Sequence, residues 1–252
     1  EHDGVRYLHL DSIWVQGAMR LSKPSAIELD YVQRMMAWLL LFEPVGLGRR
    51  HAVQFGLGAG AITRFCHGKL RMRNTVVEIN PSVILANRHW FRLPADGPRF
   101  VVSQADAALW AADPQRANTV DVLCVDLYDH EAAGPVLDNE EFYRACQRLL
   151  VQGGALSVNV FGRKASDERS LARLRRVFGS ARVRSLQPTR EGNTVLLALR
   201  DVEWPAPEVL ARRAAAHEER TGLPCRKWLR MLRHRDALDA QEASGSDDAA
   251  GS

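Results

Sequence analysis

The sequence predicts an α/β fold with about seven mostly parallel strands and helices on both faces of the sheet. From residue 51 onward, short apolar runs alternate with amphipathic segments across short connections, which is typical of a parallel sheet. Some runs, such as residues 122–125, are apolar without a break, as expected for strands that are covered on both faces. With 252 residues, of which 46% are hydrophobic, the chain is long enough for one large domain with appendages.

A short β-hairpin is predicted at the start of the chain, within an N-terminal region of residues 1–43. Residues 5–10 and 13–19 have the composition of two strands, and Asp11-Ser12 separates them as a turn. Gln16 lies inside the second predicted strand, where a polar side chain either faces solvent or lines a site.

A helix is predicted to follow from Asp30. Apolar residues recur there at helical spacing, and Pro44 and Gly46 end the pattern. Most of this apolar stripe belongs to a core. Tyr31, near the helix start, is the one position on it where we consider a role in a site.

Strands and helices then alternate through the main domain, residues 44–204. Asn80-Pro81 has the pattern of a helix start, and Gly153-Gly154 that of a helix stop. The predicted strands are residues 52–55, 75–78, 100–103, 120–126, 155–161, 182–186 and 194–200. The predicted helices are residues 81–91, 105–111 and 167–178, and one that opens within residues 138–141 and stops at the glycine pair.

The C-terminal region is predicted to be a basic helical extension, residues 205–238, followed by a disordered tail, residues 239–252. Its positive charge indicates a solvated helical face or a contact with the main domain, which we favour, or else a nucleic-acid surface. Beyond Trp228, no aromatic residue interleaves with the charges to stack on bases. The basic residues are Arg212, Arg213, Arg220, Arg226, Lys227, Arg230, Arg233 and Arg235.

Composition favours a cytoplasmic protein without a membrane segment. The net charge of +4 and the pI of about 9.1 do not by themselves indicate nucleic acid. The longest apolar stretch is too short to span a bilayer, and the first residues have no signal-peptide character. No metal-ligand cluster is present, and Cys124 and Cys146 fall on apolar positions that favour buried free thiols.

A glycine-rich turn carries the first functional signal. Gly56, Gly58 and Gly60 follow a short apolar strand, and glycines let a ligand lie against main-chain N–H groups. Glu78 ends the next strand, 18 residues after Gly60, where a carboxylate can accept hydrogen bonds from ribose hydroxyls. The alternative for Glu78 is a charge at the N-terminus of the helix that Asn80-Pro81 opens.

Three acids are expected at the same edge of the sheet. Asp106 follows the third strand, where it either accepts a hydrogen bond from an adenine amino group or sits at a helix N-terminus. Asp126 and Asp129 belong to residues 126–141, which hold six acids and no Lys or Arg. Helix capping and the helix macrodipole explain Asp138, Glu140 and Glu141, but they do not explain Asp126 and Asp129.

The last two acids are suited to an amine substrate. A primary amine has a pKa of about 10.4, so it is charged and non-nucleophilic at neutral pH. A carboxylate can bind the ammonium and take its proton as the nitrogen attacks. In this division Asp126 is the base, and Asp129 binds the ammonium group.

With these residues the chain resembles the polyamine aminopropyltransferase family (spermidine synthase and its relatives) over roughly residues 4–200. The resemblance implies a Rossmann-like fold of the class I methyltransferase type and, usually, a homodimer. It implies transfer of an aminopropyl group from decarboxylated S-adenosylmethionine to a small-molecule amine. The matching pieces are Val15-Gln16, Tyr31, the glycine turn with Glu78, and Asp126-x-x-Asp129 followed by Gly134-Pro135.

The resemblance also implies a role for each matching residue. Gln16 and Glu78 lie near the nucleoside, and Asp106 lies near adenine. Asp126 is the catalytic acid/base, while Tyr31 and Asp129 lie near the amines.

Several positions depart from the family pattern. The family's glycine turn carries an Asp that holds the amino group of the donor, and this chain has Ala59. A methyltransferase turn usually has an acid where this chain has Gln54. Residues 188–193 replace a tyrosine-bearing substrate segment, and Arg190 there repels a polyamine unless it turns away. Two alternatives stay open: a methyltransferase that uses intact S-adenosylmethionine, and a catalytically silent nucleoside-binding relative.

Overall fold

The computed structural model describes residues 1–9, 15–127, 137–162 and 164–233. No helix in these ranges is long and apolar enough to cross a membrane. The strands are β1 (Val5–Leu8), β2 (Gly17–Arg20), β3 (His51–Phe55), β4 (Arg73–Glu78), β5 (Phe100–Gln104), β6 (Val120–Val125), β7 (Leu150–Phe161), β8 (Val183–Leu186), β9 (Asn193–Leu199) and β10 (Leu232–Arg233). The α-helices are α1 (Asp30–Met35), α2 (Ala61–Arg64), α3 (Pro81–Trp90), α4 (Ala107–Ala112), α5 (Glu140–Leu149), α6 (Lys164–Phe178), α7 (Pro207–Thr221) and α8 (Cys225–Met231).

The main sheet has the strand order β10-β8-β9-β7-β6-β3-β4-β5. Strands β5, β4, β3, β6 and β7 are parallel, while β9, β8 and β10 continue the sheet in antiparallel pairs. The prediction of about seven mostly parallel strands is confirmed, and the two-residue β10 adds an eighth. Strand β3 pairs with β4 on one side and with β6 on the other, so the order in which strands are added to the sheet reverses at β3. The crevice at the carboxyl ends of β3 and β6 is therefore the expected ligand site.

Apolar layers cover both faces of the sheet, as the unbroken apolar strands predict. One layer contains the 3₁₀ helix Met36–Leu41, which continues α1, together with α7 and α8; Trp38 and Trp228 are buried in it. The other layer contains α4, α5 and α6, with Trp110 and Tyr143 among its buried residues. The predicted helix from Asp30 is thus confirmed, although its second half is 3₁₀.

The predicted helix stop at Gly153-Gly154 is wrong. Helix α5 ends at Leu149, and both glycines lie inside the long strand β7. The register between β6 and β7 shifts near these glycines, and Gly153 has a φ of +75°. A strand irregularity, rather than a helix end, accounts for the pair.

The N-terminal hairpin is confirmed, with β1 and β2 paired antiparallel. Gln16 immediately precedes β2 instead of lying inside it, and the predicted Asp11-Ser12 turn lies outside the described residues. Leu8 and Met19 pack with Ala59 and Phe91. The hairpin therefore rests on the glycine turn and on the residue that follows α3.

The basic extension docks on the main domain, which is the interpretation we favoured. On α7, Arg213 Nη1 donates to the Leu41 carbonyl at 2.8 Å, and Arg220 Nη1 donates to the Pro44 carbonyl at 2.8 Å. Residues 232–233 form β10 rather than helix, since Leu232 pairs with Leu186 of β8. Residues 234–252, including the predicted tail, lie outside the described part of the chain.

Candidate active site

The glycine turn passes very close to the end of β6. Gly56 has a φ of +82°, and a Cβ placed on it would lie 2.1 Å from the carbonyl oxygen of Asp126. Gly58 has a φ of +51°, and its Cβ would lie 3.0 Å from the carbonyl oxygen of Gln16. Since no L side chain fits the first of these approaches, glycine is required there. The turn is thereby held against both the hairpin and the strand that delivers Asp126.

Glu78 holds the turn from the neighbouring strand. Its Oε2 accepts a hydrogen bond from Leu57 N at 2.8 Å, and its Oε1 accepts one from Asn80 N at 2.8 Å. Asn80 in turn caps α3 by accepting from Ser82 N, as its sequence pattern predicts. Glu78 thus lies at the turn as expected, with its carboxylate oriented by main-chain N–H groups.

Gln54 has a structural role that its sequence position did not reveal. Its side-chain amide donates to the Gly56 carbonyl at 2.6 Å, and its Oε1 accepts from the Thr63 hydroxyl at 2.7 Å. The side chain therefore ties the glycine turn to α2. An acid at this position would lack the N–H donor that reaches Gly56.

A small pocket opens beside the turn. It brings together Gln16, Tyr31, Ala59 and Asp126, and apolar residues such as Leu29 complete its lining. Among the described lining residues, Asp126 supplies the single carboxylate, and Lys and Arg are absent. This pocket can therefore attract a cation, and its described lining has no Lys or Arg to pair with a carboxylate ligand.

Asp126 contacts only uncharged donors among its described partners. Its Oδ1 accepts from Asn159 Nδ2 at 2.9 Å, and its Oδ2 lies 3.4 Å from the Tyr31 hydroxyl, a long hydrogen bond. Burial raises the pKa of Asp126, while the hydrogen bonds from Asn159 and Tyr31 act in the opposite direction. A carboxyl group with a raised pKa, exposed to a ligand pocket, is suited to accepting and returning a proton.

Sequence reasoning missed Asn159 and the residues behind it. Asn159 is 3% exposed in β7, and its Oδ1 accepts from Asn193 Nδ2 at 3.1 Å. Asn193 N donates to Thr189 Oγ1 at 3.1 Å. The available signal was an amide in the middle of the apolar run 156–161. A buried Asn needs partners, so it marks a polar contact inside the fold.

Asp106 caps a helix. Its Oδ1 accepts from Ala108 N at 2.7 Å and from Leu109 N at 3.0 Å, so the capping alternative is shown. Both bonds use Oδ1, and contact of Oδ2 with adenine stays a prediction. Two apolar side chains that sequence reasoning missed are exposed near this edge: Ile79, 64% exposed after β4, and Leu109, 76% exposed on α4.

At the C-terminal end of the acidic segment 126–141, arginines pair with the acids. Asp138 does not cap α5, since Asn139 accepts the hydrogen bond from Phe142 N. Asp138 instead pairs with Arg173, and Glu140 pairs with Arg176. Capping therefore does not account for Asp138, because Asn139 is the residue that caps α5. Glu140 and Glu141 lie in the first turn of α5, where the macrodipole favours acids, as predicted. Asp129 and Gly134-Pro135 lie outside the described residues.

The cysteines lie in the core. Cys124 and Cys146 are buried as predicted, and Cys66 and Cys225 are buried as well. Burial raises the pKa of Cys124 to about 12, so its thiol stays protonated at neutral pH. In the part of the chain that the structure describes, no group of three His, Cys, Asp or Glu side chains could hold a metal ion.

Solved structures with the same architecture include a probable spermidine synthase from Corynebacterium glutamicum, with a TM-score of 0.68 and 20% identity. That likeness covers 87% of this chain and 91% of the other. Human methyltransferase-like protein 13 in complex with SAH has a TM-score of 0.65 and 22% identity, over 81% of this chain and 93% of that one. At these identities the likeness shows the fold, a Rossmann-like fold of the class I methyltransferase type.

Sequence relatives are more specific. No protein-family model matches the chain. A polyamine aminopropyltransferase of Neisseria meningitidis serogroup A is 36% identical over 199 residues, which are 79% of this chain and 73% of the relative. A polyamine aminopropyltransferase of Chromobacterium violaceum is 31% identical over 238 residues, 92% of this chain and 87% of the relative. With this identity and coverage, and with the fold described above, the chain belongs to the polyamine aminopropyltransferase family.

Proposed function

We propose that this protein transfers an aminopropyl group from decarboxylated S-adenosylmethionine to a small-molecule amine, as an enzyme of polyamine biosynthesis. The observation that carries the proposal is the position of Asp126. Its carboxyl group has a raised pKa, faces a pocket beside the glycine turn, and has uncharged donors as its described partners. A site of this kind can bind an ammonium group and remove its proton.

The reaction needs one proton acceptor. Asp126 first removes a proton from the acceptor's ammonium group, which leaves a neutral amine. The amine nitrogen then attacks the aminopropyl carbon that is bonded to the donor's sulfonium, a C–N bond forms, and the bond between that carbon and sulfur breaks to release neutral methylthioadenosine. Asp126 passes the proton to solvent. Tyr31 and Asp129 are proposed to hold the acceptor amine, and Tyr31 lies on the pocket side of Asp126.

The nucleoside is proposed to bind along the carboxyl edge of β3, β4 and β5. Gly58 and Gln16 line the pocket, where they are proposed to contact the nucleoside. The N–H groups of Gly56 and Gly60 donate to the carbonyls of Val77 and Leu57, so these two glycines are proposed to shape the turn around the ligand. Glu78 is proposed to reach the ribose, and Asp106 the adenine amino group. The exposed Ile79 and Leu109 provide apolar surface for the base.

Charge in the pocket supports the decarboxylated donor. The α-carboxylate of intact S-adenosylmethionine would enter a pocket whose described lining has no cation and whose carboxylate is Asp126. Burying an unpaired carboxylate beside another one is unfavourable. Both donors carry an ammonium group that Asp126 attracts, and the decarboxylated donor brings this cation without the carboxylate.

A methyltransferase that uses intact S-adenosylmethionine is the second candidate. It is favoured by Ala59, which places no acid in the glycine turn to select the decarboxylated donor. Calorimetric titration with methylthioadenosine and both donors separates the two functions. Tighter binding of the decarboxylated donor supports aminopropyl transfer, and tighter binding of the intact donor contradicts it.

A catalytically silent relative is the third possibility, and turnover tests it. Purified protein with the decarboxylated donor and a panel of α,ω-diamines should release methylthioadenosine. Donor binding without turnover, for every amine in the panel, would contradict enzymatic function.

We further propose a homodimer in the cytoplasm. The dimer is what the family resemblance implies, and the cytoplasmic location rests on the composition. Light scattering on the purified protein measures the mass in solution, and the mass of a single 28.2 kDa chain would contradict the dimer.

A further inference from the structure

Arg34 and Arg64 are both buried, and neither takes part in the chemistry proposed above. Arg34 is 6% exposed, and Arg64 is 4% exposed. Burying a guanidinium costs free energy unless its N–H groups find partners. The groups that these two side chains contact therefore indicate what each arginine stabilises.

Arg64, at the end of α2, contacts three separate segments. Its Nε donates to the Pro24 carbonyl at 2.7 Å, in the segment that follows the hairpin. Its Nη1 donates to the carbonyl of Ala59 in the glycine turn and, at 2.8 Å, to that of Phe91 after α3. Its described partners include no carboxylate, and burial lowers the pKa of Arg64 to about 10. The side chain holds main-chain carbonyls around the donor side of the pocket.

Arg34 joins two segments on the other side of the pocket, where Tyr31 is proposed to hold the acceptor amine. It lies one turn after Tyr31 on α1, and its Nη1 donates to the Gln187 carbonyl at 2.6 Å. Its Nη2 donates to Asp30 at 2.6 Å. Gln187 opens the segment that leads to Asn193, which donates to Asn159 behind Asp126. Arg34 thus joins the helix of Tyr31 to the segment that supports the carboxylate.

We propose that Arg64 and Arg34 are positioning residues with separate duties: Arg64 sets the glycine turn for the donor nucleoside, and Arg34 sets the acceptor side. This division rests on the proposed function. Their described hydrogen-bond partners do not overlap, and they lie on different segments of the chain. Each residue should therefore affect one ligand and spare the other.

Paired substitutions test the division. Arg64→Met and Arg34→Met keep a stem of similar length and remove every N–H donor. Two dissociation constants are measured by calorimetry: that of methylthioadenosine, and that of 1,4-diaminobutane for the methylthioadenosine complex. We expect Arg64→Met to weaken nucleoside binding about tenfold, and Arg34→Met to weaken diamine binding about fivefold to tenfold. In each variant the other constant should stay within about twofold of wild type.

A merely structural role predicts a different result. If both variants shift both constants by the same factor, or if Arg64→Met leaves nucleoside binding within about twofold, the division is wrong. Should a Met variant fail to fold, Arg64→Lys and Arg34→Lys carry the same comparison, because Lys keeps the charge and offers fewer directions to the carbonyls. If the wild-type protein binds no methylthioadenosine, the proposed function fails, and the division fails with it.

Discussion

An aspartate lies near each end of strand β6, and the two carboxylates have different partners. Asp121, at the amino end, accepts from Arg50 Nη1 at 2.7 Å and from His51 N at 2.8 Å. Asp126, at the carboxyl end, receives hydrogen bonds from Asn159 and Tyr31, both uncharged. The first carboxylate is paired with a cation and joins two strands. The second is partly buried and has no cation among its described partners, and the chemistry of the site follows from that difference.

The largest expected effect comes from Asp126→Asn. An amide cannot accept the amine proton, so we expect activity to fall by about 10² to 10⁴. Methylthioadenosine binding should change by less than about threefold, because the glycine turn and Glu78 are untouched. Steady-state kinetics and calorimetry measure both quantities. Asp121→Asn is the matched control, and activity that survives Asp126→Asn would assign the base elsewhere.

Asn159→Leu should lower the fraction of Asp126 that is ionised at neutral pH. The substitution removes a hydrogen bond that favours the ionised carboxylate, so the pKa of Asp126 should rise further. The acidic limb of the kcat/KM profile then moves to higher pH, with about a tenfold loss at neutral pH. Ser157→Ala is the control in the same strand, since Ser157 donates to the Met35 carbonyl instead. An unmoved limb in Asn159→Leu would contradict the role of this amide.

Asp121→Asn should lower stability while sparing activity. It removes a partly exposed ion pair with Arg50, so we expect a loss of about 1–2 kcal/mol in the free energy of unfolding. Urea denaturation measures the loss, and kcat/KM should stay within about twofold. A large loss of activity at unchanged stability would show that the amino end of β6 also serves the site.

Asp126→Asn should have the opposite effect on stability. Because the pKa of Asp126 is raised above its ordinary value of 3.8, the folded state binds its proton more tightly than the unfolded state does. The stability that the protonated group contributes is present at low pH and is lost as pH rises through the raised pKa. At neutral pH the variant should therefore melt at an equal or higher temperature than wild type. A lower melting temperature would mean that ionised Asp126 stabilises the fold.

Tyr31→Phe should give the smallest effect. The hydroxyl lies 3.4 Å from Asp126 Oδ2, so the hydrogen bond that is lost is weak. We expect a change of about twofold to threefold in kcat/KM and a slight upward shift of the acidic limb. Tyr31→Leu, which also removes the ring, should raise the KM for the diamine more. A tenfold effect of Tyr31→Phe would indicate a direct contact between the hydroxyl and the substrate.

The residues proposed to bind the donor were easier to predict from the sequence than those around the acceptor amine. The glycine turn and the strand to Glu78 follow from contiguous patterns, since the strand alternation puts them at one edge of a parallel sheet. Asn159 and Asn193 meet because β7 pairs antiparallel with β9, and nothing local in the sequence indicates that pairing. Arg34 and Arg64 were hidden for the same reason. Apart from Asp30, their described partners are main-chain carbonyls, which every residue has.

Two errors also have a physical origin. Gly153-Gly154 looks like a helix stop because glycine ends helices and also permits strand irregularities, and local sequence does not separate the two. Asp138 looks like a cap because it stands at a helix start, while Asn139, one residue later, has the same propensity. Arg173, 35 residues downstream, is the partner that removes Asp138 from that role.

The contact between Gly56 and the Asp126 carbonyl has a consequence for directed evolution. A library that diversifies this pocket to accept new amines can vary Tyr31 or Leu29, which offer side chains to the ligand. Position 56 should tolerate no replacement, because any side chain there pushes the backbone that carries the base. Selection for new acceptor amines should therefore enrich substitutions at neighbouring positions and keep Gly56. Variants in which Gly56 is replaced should be inactive, whatever other substitutions they contain.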